Sequence, residues 1–466
     1  MKNKRVLMRL SAPLFAFALL ATACGSDEGD TAGGGGNGDE TTTTAEGDET
    51  TTTAEGDETT TTAADGGGGQ TLAGLKGTTP LVDLDDAFKD RLLEVDPALK
   101  DFNYAAESYD AAVIIALATL VAGSDGIEYA GEINGITRGG EKCMDFAACK
   151  TIIEADGDPD YDGAAGPGEF SGNGEPTVAS YGILEFGDDN MIDDAATEYQ
   201  VANAPAEADV DEVPVEGTRA GDGTLTIGTL LPETGSLAFL GPPEFAGVDL
   251  AVAEINEAGG VLDNDVVVVD GDSGDTETDT ANTTVDRLIA ADVDAIIGAA
   301  SSGVTSTVID KITAAGVVQF SPANTSKEFS TYDDSGLYFR NAPSDILQGA
   351  VLGELIAGDG ATTVGIMNLD DPYGTGLAED LTTALEESGV EVVESITYDP
   401  AAQTFDAEVE QIAAADPEAI VVIGFDESSR VLTALIEAGI GPGEKMVYGT
   451  DGNMGNALGE NFEAGE

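Results

Sequence analysis

From residue 224 onward, short apolar runs alternate with stretches whose apolar residues recur at helical spacing. The runs at 224–231, 265–272, 294–300, 317–323, 363–369, 391–398, 419–425 and 445–451 read as strands. Amphipathic helices are predicted between them, at 244–258, 278–291, 303–315, 345–357, 374–388, 404–415 and 427–438. Regular strand–helix alternation implies parallel, doubly wound sheets. The run supplies strands for about two sheets, so two α/β lobes are expected. It stops soon after a strand, at 455–466, where a doubly wound lobe would be left unfinished.

An earlier folded segment covers 71–200. A strand is predicted over 71–79, helices over 84–95, 104–123 and 127–137, and an alternating strand over 179–186. The helix at 104–123 is apolar enough to be buried, but its run from Val113 to Val121 is far short of a membrane span. Residues 201–222, rich in Ala, Pro and acids, have no period and read as a linker.

The first 70 residues have neither pattern. Lys2, Lys4, Arg5 and Arg9 precede the apolar run 12–21, and small residues precede Cys24. This is a secretory leader, too short to remain as a span. A Cys at that place resembles the bacterial lipoprotein signal, so residues 1–23 would be removed and Cys24 lipidated; ordinary cleavage nearby is the alternative. Residues 24–70 repeat "GDETTTTAE" at 38–46 and 47–55, with a near copy at 56–64, between glycine runs. Such a segment cannot bury enough apolar surface to offset chain entropy. It reads as a flexible, charge-extended tether.

The charge narrows the function. Against 89 Asp and Glu stand 18 Lys and Arg, a net charge of −71. Phosphate contacts need a basic surface, so nucleic-acid binding is not expected. The chain has no His, which removes Ser-His-Asp and Cys-His catalysis and most zinc sites. Cys143 and Cys149 close a short loop, which in an exported protein points to a disulfide, with a redox or metal pair as the alternative. Alternating Asp in 156–163 is similar to a calcium loop, but position 12 counted from Asp156 is Pro167 rather than Glu. No phosphate loop, dinucleotide fingerprint or nucleophile elbow is present.

Several stretches in order, "GTLLPETGSLAFLGPPEFAGVDLAVAEINEAGGV" (228–261), "AIIGAASSGVTSTV" (295–308), "QFSPANTS" (319–326), "YFRNAPSDILQGAVLGE" (338–354), "DPYGTGLAEDL" (371–381) and "YGTDG" (448–452), resemble the first two-thirds of a type I periplasmic binding protein of the leucine/isoleucine/valine-binding family. The segment 71–190 resembles that family's last third: 102–124 is similar to its penultimate long helix and 160–186 to its closing crossover and hairpin. The last third comes first here, so the resemblance implies a circular permutant. Residues 223–466 would hold a first lobe over about 223–343 and a second over about 344–466. Residues 71–200 would contribute to both lobes, and 191–222 would bridge the old termini. About 30 residues reach roughly 100 Å when extended, ample for that bridge. A rearranged gene that does not fold is the alternative.

The resemblance implies ligand binding in a cleft between hinged lobes, at the C-terminal ends of strands. By motif, Ser302, Ala323 and Thr325 would grip an α-amino-acid head, with Asp451 meeting its ammonium. Leu240, Tyr373 and Phe425 would line the side-chain pocket. Each also has an ordinary structural role open to it, as helix start, cap, loop acceptor or core, and Arg340 is expected to be a structural ion-pair partner at the hinge. The implied protein is a monomeric, lipid-anchored receptor outside the cytoplasmic membrane. It delivers a branched-chain or similar amino acid to an ABC permease, uses no cofactor or metal, and catalyses nothing. The alternatives are an amide, urea or aromatic-acid ligand, a sensory output, a cell-surface hydrolase and a structural surface protein.

Overall fold

The computed structural model describes residues 71–205 and 210–462. The leader, Cys24, the tether, residues 206–209 and residues 463–466 lie outside the described residues. The early segment holds β1 (Lys76–Pro80), α1 (Asp86–Val95), α2 (Ala105–Ala122), α3 (Ile133–Ile136), β2 (Glu141–Cys143), α4 (Phe146–Glu154), β3 (Pro159–Tyr161), β4 (Val178–Glu185) and β5 (Glu198–Asn203). The later segment begins with β6 (Thr226–Leu230), α5 (Gly241–Glu257), β7 (Val267–Val269), α6 (Thr280–Ala290), β8 (Ala295–Gly298), α7 (Ser302–Ala314), β9 (Val318–Ser321) and β10 (Tyr338–Arg340). It continues with α8 (Asp345–Asp359), β11 (Thr363–Leu369), α9 (Pro372–Glu387), β12 (Glu391–Tyr398), α10 (Asp406–Ala415), β13 (Ala419–Ile423), α11 (Ser428–Glu437), β14 (Met446–Gly449) and α12 (Asn456–Gly459).

Two sheets organise these elements. A five-stranded sheet runs β10-β9-β8-β6-β7, parallel throughout. A seven-stranded sheet runs β12-β11-β13-β14-β1-β4-β5. There β1, from the early segment, lies parallel beside β14, with Lys76 opposite Tyr448 and Gly77 opposite Gly449. The strands β4 and β5 then run antiparallel, β4 to β1 and β5 to β4. The parallel order expected of the strands from residue 224 onward holds in both sheets. The antiparallel pairs belong to the early segment alone, where β4 and β5 form a hairpin.

The early segment serves both lobes. Its strands extend the seven-stranded sheet, while α2 packs along α5 and reaches β8 and β9 of the five-stranded one. From Ala111 to Ala118 the helix α2 is apolar on every side, as a stretch enclosed by protein must be. It has the length and mean hydropathy (1.5) of a membrane span, yet 83% of it is buried. Fully buried side chains such as Val113, Ile115 and Leu117 contribute about 1.5–3 kcal/mol each. The two helices approach closely because α5 has Gly247 at the contact. A Cβ there would lie 2.2 Å from the Ala105 carbonyl oxygen.

Three local expectations shift. The strand predicted over 71–79 starts at Lys76, because Leu75 N–H turns back onto the Leu72 oxygen (2.8 Å). The linker predicted from residue 201 begins with the end of β5. That strand leaves Tyr199 and Val201 exposed, so no apolar alternation marks it, and it forms by hydrogen bonding to the free edge of β4. The short strand β10 hides inside the run that leads into α8.

Between the lobes, the chain crosses at 81–85, 162–177 and 341–344, and again after β5. A buried ion pair braces this junction. Arg340 ends β10 and Glu175 precedes β4; their side chains meet with Nε donating to Oε2 at 3.0 Å. Burial works to raise the Glu175 carboxyl, yet Arg340 outweighs it and leaves it below the ordinary value. Glu175→Gln is expected to destabilise the protein by about 3–5 kcal/mol, since it strands a buried guanidinium. Urea unfolding measures this, and an unchanged midpoint would remove the pair from the list of structural supports.

Candidate ligand-binding cleft

The first wall of the cleft comes from the loops after β8 and β9. Gly298 ends β8 with a left-handed φ of +125°, and a Cβ there would sit 2.0 Å from the Leu230 oxygen, so the turn requires glycine. Ser301 then caps α7, its Oγ accepting from Val304 N–H (3.2 Å). Ser302 follows as the first helical residue, buried, where free N–H groups and the helix dipole favour an anion. The second loop is pinned to the first. Ser321 Oγ donates to the Ala299 oxygen (2.7 Å), Asn324 Nδ2 to the Ala300 oxygen (2.8 Å), and Ser326 N–H to Ser302 Oγ (3.4 Å). Arg340 reaches the carbonyls on either side of Thr325, at Asn324 (3.1 Å) and Ser326 (2.8 Å). Ala323 and Thr325 are thereby held, buried, beside Ser302.

The opposite wall belongs to the seven-stranded lobe. Asp371 caps α9 by accepting from Gly374 N–H (2.7 Å), which places Tyr373 in the first turn. Its hydroxyl donates to Asp451 Oδ1 (2.8 Å) and pairs with Thr450 Oγ1 (2.8 Å); its ring stacks on Phe425, with centroids 5.5 Å apart and planes within 9°. Asp451 follows β14. Its second oxygen, Oδ2, accepts from the Tyr104 hydroxyl (2.8 Å), which arrives from the start of α2 in the other lobe. Burial raises the Asp451 carboxyl, while bonds from Tyr373 and Tyr104 draw it back. No salt bridge among the described residues reaches Asp451.

A second carboxylate was not singled out by sequence reasoning. Asp345, the first residue of α8, is fully buried, and its N–H donates to the Thr325 oxygen (2.8 Å). Neither of its carboxylate oxygens has a well-formed hydrogen bond. Burial first, and then the Asp451 charge, push it well above the ordinary range. Tyr104 was also missed. It precedes a helix that reads as core throughout, so only its left-handed φ of 59° sets it apart.

The lobes are drawn together. Leu240, Ala323, Tyr373 and Phe425 share one apolar cluster drawn from both. Ser326 Oγ donates to the Pro372 oxygen (3.3 Å), Asp426 N–H to the Ser236 oxygen (3.3 Å), and Lys327 pairs with Glu379 and Asp380 (3.0 and 2.9 Å). No hydrogen bond among the described residues joins Ser302 directly to Asp451; Asp345 stands between the two halves, bonded to Thr325 and within reach of the Asp451 charge. Away from the cleft, Cys143 and Cys149 form a disulfide. The acidic loop considered for calcium brings Asp160, Asp162 and Glu169 together, and Lys142 Nζ bonds all three (3.1, 2.9 and 3.2 Å). An ammonium already neutralises that group.

A family model described as periplasmic binding protein matches residues 224–463, and the chain belongs to that family. The chemotactic signal transduction system substrate-binding protein BasB of Halobacterium salinarum is 33% identical over 217 residues, covering 44% of this chain and 51% of that protein. The Leu/Ile/Val-binding protein homolog 3 of Brucella melitensis is 25% identical over 230 residues, 49% of this chain and 61% of that one. The chain thus spans about half the length of the curated relatives it matches. Among solved structures, the branched-chain amino acid transporter substrate binding protein LivJ of Streptococcus pneumoniae, crystallised with isoleucine, is 29% identical, with a TM-score of 0.46 and coverage of 51% and 67%. The α/β fold expected from the resemblance is the one found.

Burial raises Asp371 from 3.8 to about 7, with Glu427 adding to it and the Gly374 N–H bond opposing. An acid raised on folding favours the folded state fully below its unfolded pKa, and that favour fades as pH climbs through the folded value. Stability should therefore fall between about pH 4 and pH 8 through this residue. Asp371→Asn keeps a good cap and should flatten part of that fall in urea titrations across pH; an unchanged profile would assign the slope elsewhere.

Proposed function

We propose that this protein captures an α-amino acid between its lobes and presents it to an ABC permease outside the cytoplasmic membrane. The observation that carries the reading is the pair of buried carboxylates, Asp451 and Asp345, without a cationic partner for Asp451, set against the helix start at Ser302. A zwitterion matches both: its ammonium meets Asp451 and the Thr325–Ala323 loop, and its carboxylate meets Ser302 and the free N–H groups of α7. Leu240, Tyr373 and Phe425 then enclose an apolar side chain of branched-chain type. The proposed role is binding, in keeping with a family of substrate-binding proteins. Lipidation at Cys24 and the tether of residues 24–70 would hold the receptor, as a monomer, near its permease.

The same reading includes the permuted order. Its supports are the family match confined to 224–463, the seating of β1 beside β14, and the meeting of the two ends of the described chain at one place. Leu72 N–H donates to Asn190 Oδ1 (2.8 Å). Gly459 packs so closely on Asn190 that a Cβ would lie 1.7 Å from its carbonyl oxygen. A sensory output is the second reading, favoured by the Halobacterium relative, whose name places it in chemotactic signal transduction.

Calorimetric titration with leucine, isoleucine and valine tests the site. Asp451→Asn should weaken binding about 10–100-fold, the loss of one charge-assisted contact of about 1.5–3 kcal/mol. Equal binding by the variant, or no binding of any amino acid by the parent, would sink the proposal. Cys24→Ala should release the protein from the membrane fraction in a host that lipidates exported proteins; retention would overturn the anchor.

A further inference from the structure

Behind the cleft, where the lobes join, a separate cavity is lined by Pro80 and Ser180 from the seven-stranded lobe, Glu107, Asp110 and Tyr161 from the other, and Asn341 from the crossing between β10 and α8. Its free volume of about 30 Å³ suits one or two particles of water size, since about 10–15 Å³ holds one. An organic ligand does not fit.

Its polar lining is short of donors. Asp110 is satisfied: its oxygens accept from Tyr161 hydroxyl (2.6 Å), Ala164 N–H (2.9 Å) and Ala165 N–H (2.7 Å). Glu107 is not. The residue is 6% exposed, and the one favourable contact of its carboxylate is its own backbone N–H. Asn341 spends its Nδ2 on the Glu107 carbonyl (2.6 Å), which fixes the amide and leaves Oδ1 buried without a partner. The unpartnered Asn341 Oδ1 and the Glu107 carboxylate, which no cationic side chain meets, line the same small cavity, and no Lys or Arg among the described residues does. Close by on α5, Glu244 is fully buried with both oxygens unpartnered, and the Glu107 charge acts on it. The region is therefore rich in oxygen acceptors and lacks positive charge.

We propose that this cavity holds a small hard metal cation, of the sodium or calcium kind, bound through the Glu107 carboxylate and the Asn341 amide oxygen. Oxygen-only ligation by a carboxylate and an amide carbonyl is the donor set such ions take, and the volume leaves room for an ion with a bound water. The site lies at the crossing between lobes, so an ion there ties α2 to the strand connection that must move when the lobes part. It is independent of which solute fills the cleft.

Thermal unfolding of the full protein tests this, in tetramethylammonium chloride, sodium chloride and calcium chloride at matched ionic strength. A cation that binds only the folded state raises the midpoint by mass action. The midpoint is expected to rise by several degrees in sodium or calcium above its value in tetramethylammonium. Glu107→Gln, equal in shape, should lose that excess, while Asp90→Asn, the loss of an exposed charge of the same sign, should keep it. Equal midpoints in all three salts would overturn the site in favour of a protonated Glu107, and an excess that survives in Glu107→Gln would assign it to the acidic surface. Should Glu107→Gln fail to fold, Asn341→Ala supplies the same comparison.

Discussion

A guanidinium can be buried only if acceptors surround it, and the cleft is built from that requirement. Arg340 is 1% exposed. Its donors go to Glu175, to Ser330 Oγ, and to the carbonyls of Asn324 and Ser326. Pairs of this kind add little net stability against an apolar replacement, because desolvation offsets the attraction. What they supply is placement. The two carbonyls fix the loop that presents Thr325, the loop fixes Asp345 through its N–H, and Glu175 draws in the chain that leads to β4. The early and late parts of the sequence meet at this one cation.

Against that brace stands a group left without its complement. Asp451 is held by tyrosines from both lobes, which orient a carboxylate but do not neutralise it. Asp345 nearby lacks even that support. Two like charges in one buried space raise each other's cost of ionisation. On the proposed reading an incoming ammonium would relieve it, which would make closure and ligand capture one event. The apolar cluster that holds Leu240, Ala323, Tyr373 and Phe425 together favours lobes drawn together, and the unmet charge opposes it.

The alternation of strand and helix was legible because parallel strands covered on both faces are written as apolar runs, such as "AIIG" and "AIVVI". The loops after β8, β9, β11 and β14, where Ser302, Thr325, Tyr373 and Asp451 lie, were legible because each begins where an apolar run ends. Less could be read where pairing, not pattern, decides. The edge strand β5 has no buried face, and β2 and β3 are three residues each. Asp345 looks like an ordinary acid in a first helical turn, favoured there by the dipole. Its isolation follows from burial by residues distant in sequence, among them Tyr181. Glu107 and Asn341 were silent for the same reason, for each is polar in a run that otherwise reads as core or as crossing.

The seating of β1 beside β14 also sets a schedule. The seven-stranded sheet cannot close until its last parallel strand has been made, and the tyrosine that reaches Asp451 must wait across 347 residues of sequence. Contacts so far apart close late, because loop entropy must be overcome before they form. During synthesis, the side of β1 that will face β14 is a sheet edge without its neighbour, the kind of surface on which chains aggregate. The strong negative charge acts at that stage. Mutual repulsion between unfinished chains keeps them apart until the partner strand arrives.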